Sequence, residues 1–271
     1  MTRILDYNGQ DADRTTTVQE LVELHGSDRR FAQVTASTAD EAAAAEAAGM
    51  EMVVCMAQSV SDVRVGSAQV FVTAAIDFTG AVTPDELLAV AFESLSAGAD
   101  AVITARRLEV VSLLAAEDIP VMGHLGFVPK KSTKYGGVRG VGKTASEAAE
   151  LWEQFRQLED AGAFAVECEL IPAKVMVEIN SRTGLTTISL GSGADADVLF
   201  LFSSDICGEG RVPRHARSYG NLSALHDQVR AERVSALSAF RSDVSSGNFP
   251  NGSEIIDIDA KELDTFLATL D

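Results

Sequence analysis

His124 stands in the run Gly123-His124-Leu125-Gly126, directly after the apolar segment Ile119–Met122. At the C-terminal end of a strand a histidine can serve as an acid, a base or a hydrogen-bond donor to a carbonyl. The plainer role is structural, holding the loop that follows. Farther on, Val166-Glu167-Cys168-Glu169-Leu170-Ile171-Pro172 sets two glutamates at alternate positions. Side chains alternate across a strand, so Glu167 and Glu169 share a face and Cys168 turns outward as inert packing. A carboxylate aimed into an interior is costly unless it has a partner or a task. Glu169, nearer the C-terminal end, is the candidate general base, and Glu167, one layer deeper, its structural partner.

Three further motifs are weaker. Gly137-Val-Arg-Gly-Val-Gly142-Lys143-Thr144 fits the G-x-x-x-x-G-K-T phosphate loop. That loop must follow a buried strand, whereas here Pro129-Lys-Lys-Ser-Thr-Lys-Tyr135 reads as a polar loop. The better reading of Gly136, Gly137 and Lys143 is a glycine-rich flap over a mouth, closing on substrate and excluding water. Gly191-Ser192-Gly193 follows an apolar run and would let a ligand approach backbone amides. Asp195 and Asp197 read as turn residues. Asp205, just after Val198–Phe202, is placed to orient a loop.

The elements that position these residues alternate. Short β-branched runs at Phe31–Ala36, Met52–Met56, Val70–Ile76, Ala101–Thr104, Val121–His124, Phe164–Glu169, Thr187–Leu190 and Val198–Phe202 read as strands. Helical patterns fall between them at Ala39–Ala48, Pro84–Ala97, Leu108–Ala116, Ser146–Ala161 and Ala173–Arg182. Ala48-Gly49, Ala97-Gly98 and Ala161-Gly162 give helices a glycine C-cap before the next strand. Eight such units predict a closed (β/α)8 TIM barrel, with a doubly wound open sheet as the alternative. Val18–Leu24 adds a helix before the first strand. Leu222–Ser245 adds a long one after the eighth, and an acidic tail, Ile255–Asp271, follows. Without a visible linker or repeat, residues 1–271 read as a single domain.

Composition excludes some classes. The net charge of −18 and the lack of a basic stripe argue against nucleic acid. No apolar run approaches the roughly 20 residues of a membrane span, and Met1–Arg14 has no apolar signal core. A cytoplasmic location is therefore expected. Cys55, Cys168 and Cys207 are scattered and form no CxxC pair, so no disulfide framework or structural zinc site is indicated.

Taken together, these motifs resemble the ketopantoate hydroxymethyltransferase (3-methyl-2-oxobutanoate hydroxymethyltransferase) family over almost the whole chain. The likeness rests on Gly123-His124-Leu125-Gly126 with Pro129, on Gly136-Gly137 and Gly142-Lys143, and on Ala161–Pro172. Gly191-Ser192-Gly193, Asp205 with Gly208, and Ser246-Gly247-x-Phe249-Pro250 extend it. The resemblance implies a barrel of the phosphoenolpyruvate/ketopantoate hydroxymethyltransferase-like type that assembles into homo-oligomers. It implies hydroxymethyl transfer from methylenetetrahydrofolate to a small 2-oxo acid held by Mg2+, a step toward pantothenate. Glu169 and His124 then occupy the positions of residues acting on substrate.

The departures concern the metal. Where the family reads Val-Gly-Asp-Ser, this chain has Met56-Ala57-Gln58-Ser59, keeping Ser59 as a substrate contact but losing an aspartate. Where it reads Ala-Asp-Leu-Pro-Phe, this chain has Ala74-Ala75-Ile76-Asp77-Phe78. Where it reads Lys-Ile-Glu-Gly, this chain has Ile103-Thr104-Ala105-Arg106. Magnesium needs hard oxygen donors. Two substitutes suggest themselves: Asp77 as a shifted metal ligand, or Arg106 or Arg107 gripping a substrate carboxylate in the metal's stead. Three functions follow: a hydroxymethyltransferase or its reverse, a related barrel lyase with changed substrate and metal use, and a non-catalytic barrel.

Overall fold

The computed structural model describes residues 3–270. Eight parallel strands close into a barrel: β1 (Phe31–Thr35), β2 (Met52–Met56), β3 (Phe71–Ala75), β4 (Ala101–Ile103), β5 (Val121–Gly126), β6 (Ala165–Glu169), β7 (Thr186–Leu190) and β8 (Val198–Leu201). Each pairs with the next, and β8 returns to β1 through Val198↔Phe31 and Leu201↔Val34. The open sheet is thereby excluded. The helices are α1 (Val18–Leu24), α2 (Ala39–Ala47), α3 (Val60–Gly66), α4 (Pro84–Ser96), α5 (Leu108–Ala115), α6 (Ala145–Asp160), α7 (Ala173–Asn180), α8 (Ser203–Cys207), α9 (Leu222–Ser246) and α10 (Ala260–Leu267). Thr17, Thr38 and Thr83 start α1, α2 and α4 with capping boxes, each accepting from the N3 amide while the N3 glutamate answers. This reciprocal pairing satisfies amides a helix start leaves free.

Strand alternation divides the core in two. Inward residues such as Phe31, Met52, Phe71, Met122, Ile188 and Phe200 fill the barrel. Outward ones such as Val53, Val72, Val102 and Val166 pack beneath the helices. At roughly 25 cal/mol per Å2 this apolar burial is the main favourable term.

The N-terminal end of the barrel is plugged by α1, whose Leu21 and Leu24 are buried in the interior cluster. An ion pair locks the plug. His25 at the end of α1 reaches Asp197 Oδ2 through Nδ1 at 2.8 Å. The same oxygen accepts from the Thr187 amide at 2.7 Å and its hydroxyl at 3.0 Å. Asp197 is thus a fully buried clamp and not the turn residue its setting in Gly191–Asp197 suggests. The hydrogen bond that His25 donates to Asp197 holds the His25 pKa above its ordinary value against the lowering effect of burial. Burial pushes the Asp197 carboxyl up, but His25 and Thr187 outweigh it and hold the carboxyl below the usual range.

Two segments depart from the sequence expectation. Pro129–Tyr135 is a 3-10 turn followed by a helical turn, Ser132–Tyr135, in place of a polar loop. Proline at the first position presets the backbone for that turn. The acidic tail contains a helix, α10, started by the Asp259 side chain.

On the outside, β8 has no long helix of its own behind it. Only the five-residue α8 follows, and outward-facing Leu199 is left 41% exposed. The 25-residue α9 is exposed from Leu225 to its end, including Leu225, Val229, Val234, Leu237 and Phe240. Among the described residues no helix is long and apolar enough to cross a membrane.

Candidate functional site

At the C-terminal mouth of the barrel lies a cavity of about 330 Å3. Val54, Met56, Phe78, Ile103, Phe200 and Phe202 make most of its wall apolar. Its polar residues are Thr35, Ser37, Asp77, His124 and Glu167, with no lysine or arginine among the lining residues.

His124 and the two glutamates meet because β5 and β6 are in register, with His124↔Glu167 and Gly126↔Glu169. His124 lies within β5, two residues before its end. That position requires the β5 backbone to press against α6. A Cβ at Gly123 would collide with the buried Leu158 side chain, which would have to shift to admit any larger residue. His124 Nε2 lies 3.1 Å from Glu169 Oε2, 3.1 Å from the Phe127 carbonyl and 3.9 Å from Glu167 Oε1. All three side chains are nearly enclosed.

Burial alone would lower the His124 pKa. The hydrogen bond to Glu169 and the charges of both glutamates reverse this, and the net shift is upward. Burial also pushes the Glu167 carboxyl up; His124 pulls against that and Glu169 adds to it. An imidazole beside two carboxylates is suited to holding or passing a proton at Nε2.

Glu167, read as a structural partner, lines the cavity; Glu169 stands behind His124 and is not among the lining residues. Phe200 and Phe202, which sequence reading did not single out, form the opposite wall. Their alternation on and just past β8 was the available signal.

Other expected site residues lie elsewhere. Arg106 turns its guanidinium to the carbonyls of Asp77 and Ala81, bracing the loop between β3 and α4, and lines a separate groove with Arg107. Ser59 sits in a 3-10 turn after β2, outside the cavity lining. Ser192 is buried: its hydroxyl donates to the Cys168 carbonyl and accepts from the Ile171 amide at 2.9 Å, tying β6 to β7. Gly191 is crowded by Leu170 and His215, which leaves no open approach to its backbone on that side.

The glycine-rich loop is closed by its own chain. Glu147 on α6 accepts from the amides of Gly142 at 3.1 Å and Lys143 at 3.0 Å and pairs with Arg139 at 2.7 Å. Arg139 and these amides hold its carboxyl down at about 2. A carboxylate thus sits where a phosphate loop would hold its phosphate.

The magnesium position that the resemblance implies does not fit the residues present. Ala75 and Ala105 offer only methyl groups to the cavity, and Gln58 is exposed outside it. Asp77 lines the mouth, but it is exposed and accepts from the Thr79 amide and hydroxyl in a local turn. Among the described residues the side chains that converge with metal-ligand geometry are His124, Glu167 and Glu169, with donor atoms within 4.8 Å of one another.

Barrel and mouth together define a class. Phosphonopyruvate hydrolase, solved with oxalate and Mg++, is similar with a TM-score of 0.51 and 14% identity, over 94% of this chain and 98% of that one. A 2,3-dimethylmalate lyase described as a PEP mutase/isocitrate lyase superfamily member gives 0.51 and 13%, over 95% and 100%. At these identities the likeness is one of fold. The sequence is more specific: the family described as Ketopantoate hydroxymethyltransferase matches residues 54–252. The chain belongs to that family. It is 36% identical over 165 residues to 3-methyl-2-oxobutanoate hydroxymethyltransferase 2 of Bradyrhizobium diazoefficiens, covering 59% of this chain and 54% of that protein. The chain thus spans about half the length of this relative. A Kosmotoga olearia 3-methyl-2-oxobutanoate hydroxymethyltransferase is 29% identical over 89% of this chain and 97% of its own length.

Proposed function

We propose that this protein is an enzyme that makes or breaks a C–C bond beside the carbonyl of a small 2-oxo acid, by hydroxymethyl transfer of the pantothenate-pathway type. The observation that carries the reading is the hydrogen bond between His124 and Glu169 at the floor of the cavity. A C–H bond next to the carbonyl breaks and its proton passes to the His124–Glu169 pair. The electron pair moves onto the carbonyl oxygen, and the resulting enolate carbon bonds to the donor's one-carbon unit as that carbon's two C–N bonds break; one water supplies the new hydroxyl, and its other proton and the proton taken from carbon go to the two donor nitrogens. Methylenetetrahydrofolate is the donor this reading names. Family membership supports it. The apolar wall of Phe78, Phe200 and Phe202 suits a branched aliphatic side chain and excludes water. The loss of the inherited magnesium carboxylates favours a second reading, a related barrel lyase with changed substrate and metal use.

Two further features belong to the same proposal. A homo-oligomer is supported by the exposed apolar positions of α9 and the uncovered Leu199 on the barrel wall, because patches of this kind mark association sites. A cytoplasmic location and a single-domain organisation complete the reading; the three free cysteines suit a reducing compartment.

The test is proton exchange. The protein is incubated with 3-methyl-2-oxobutanoate in heavy water, and the signal at carbon 3 is followed by NMR. Exchange that is lost in Glu169→Gln supports the reading. Absence of exchange from folded protein, with or without added divalent metal, overturns it for this substrate.

A further inference from the structure

Three oxygens face one nitrogen at the cavity floor. Glu169 Oε2, the Phe127 carbonyl and Glu167 Oε1 lie 3.1, 3.1 and 3.9 Å from His124 Nε2. An imidazole N–H carries one proton, which cannot serve three acceptors well. Glu167 is only 6% exposed, and among the described residues its nearest cation is that same imidazole at 3.9 Å. No lysine or arginine lines the chamber. Two enclosed carboxylates therefore face at most one positive charge, in a setting where unpaired charge is costly.

We propose that His124, Glu167 and Glu169 form a binding site for a divalent ion of borderline softness, such as Zn2+, Co2+ or Mn2+. This site is distinct from the carboxylate positions lost at Gln58, Ala75 and Ala105. Ligands about 2.0–2.1 Å from a tetrahedral ion stand ~3.3 Å apart. The observed separations of 3.1 and 3.9 Å bracket that spacing. One imidazole with two carboxylates is a nitrogen–oxygen donor set that suits zinc, cobalt or manganese better than magnesium, which favours an all-oxygen shell. The charges then balance, with two carboxylates and a neutral imidazole around a 2+ ion. The donors come from two paired strands, β5 and β6, which fixes them without a loop rearrangement. Glu167 and His124 line the cavity, so the ion's remaining positions open onto it, toward the carboxylate and carbonyl oxygens of a 2-oxo acid. The inference rests on the proposed function only for the identity of that ligand; an ion held at Nε2 takes the place of the His124–Glu169 hydrogen bond, so the pair acts as the base in metal-free protein and the ion polarises the carbonyl when bound.

The experiment is a Co2+ titration of the full chain after chelator treatment, followed by visible absorption. The expected result is one Co2+ per chain with a d–d band, removed by equimolar Zn2+ and unaffected by the same concentration of Mg2+. Glu167→Gln, shown folded by circular dichroism, should weaken binding at least about tenfold, a loss of ~1.4 kcal/mol. Asp77→Asn should bind as the wild type does. A folded wild type with no cobalt band overturns the proposal without recourse to any variant. So does binding that survives unchanged in Glu167→Gln, or binding that is lost in Asp77→Asn. Carbon-3 exchange by metal-free protein would leave the proposed function standing while refuting a catalytic ion. Cobalt binding without exchange would do the reverse.

Discussion

Replacing Asp197 with alanine removes the acceptor at the base of the barrel. One oxygen of that carboxylate receives the His25 ring, the Thr187 amide and the Thr187 hydroxyl. Thr187 is fully buried, so its amide would be left without that acceptor and without water. Such a group costs ~1–3 kcal/mol, and breaking a buried pair costs ~3–5 kcal/mol. His25 keeps some solvent contact, its side chain being 18% exposed, which places Asp197→Ala near the lower end of that range, about 3 kcal/mol. Asp197→Asn keeps an acceptor for the amide and should lose less. The assay is urea unfolding, where the midpoint should fall while the slope stays constant. The pH dependence adds a signature. The His25 pKa is raised on folding, so its contribution is complete below ~6.5 and fades as pH rises through the higher folded value. The Asp197 pKa is lowered, so its contribution is complete above ~3.9 and fades as pH falls through the lower folded value. The gap between wild type and Asp197→Ala should therefore be widest between about pH 4 and 6.5. A loss below about 1 kcal/mol, or a gap that does not vary with pH, would refute the clamp.

Gly123→Ala should cost ~1–3 kcal/mol through collision with Leu158. Much of that loss should return in the double variant with Leu158→Ala, as measured by a thermal-unfolding cycle. Glu147→Gln should speed hydrogen exchange at the Gly142 and Lys143 amides, which donate to that carboxylate; unchanged exchange would mean that the loop is held by other contacts. In analytical ultracentrifugation the wild type should sediment as more than one chain, and Leu237→Glu on the exposed face of α9 should reduce the sedimenting mass. A monomeric wild type would remove the argument from α9.

The barrel was legible because its inward and outward strand faces are both apolar, so runs such as Met52–Met56 and Val198–Phe202 stand out from the alanine- and acid-rich helices. The paired antiparallel dipeptides Ile4–Leu5 and Asp11–Ala12 are too short to leave any pattern. Helix α3 was passed over because its seven residues, with serine, aspartate and a terminal glycine, read as a loop. Glu167 and Glu169 could be placed on one face because strand parity fixes where they point, whereas His124 joins them only through the register of β5 with β6. Arg106, Ser59 and Ser192 could not, because their directions depend on tertiary partners: two carbonyls across a loop for Arg106, a turn after β2 for Ser59, and the seam between β6 and β7 for Ser192. Asp197 misled for the same reason, its partner His25 being 172 positions away.

The pairing of β8 with β1 has a consequence for how the chain must be made. The first strand gains its second neighbour only when residues 198–201 have been synthesised. Until then the nascent sheet carries two open edges, β1 on one side and the newest strand on the other, and open edges invite pairing with other chains. The α1 plug waits as well, since Thr186, which donates to the Leu21 carbonyl, and Asp197 both emerge late. Contacts of such long sequence separation slow folding, because loop-closure entropy is lost before they form. A chain cut before Val198 would display an unclosed barrel, whereas one that includes Leu201 carries every strand needed to close it.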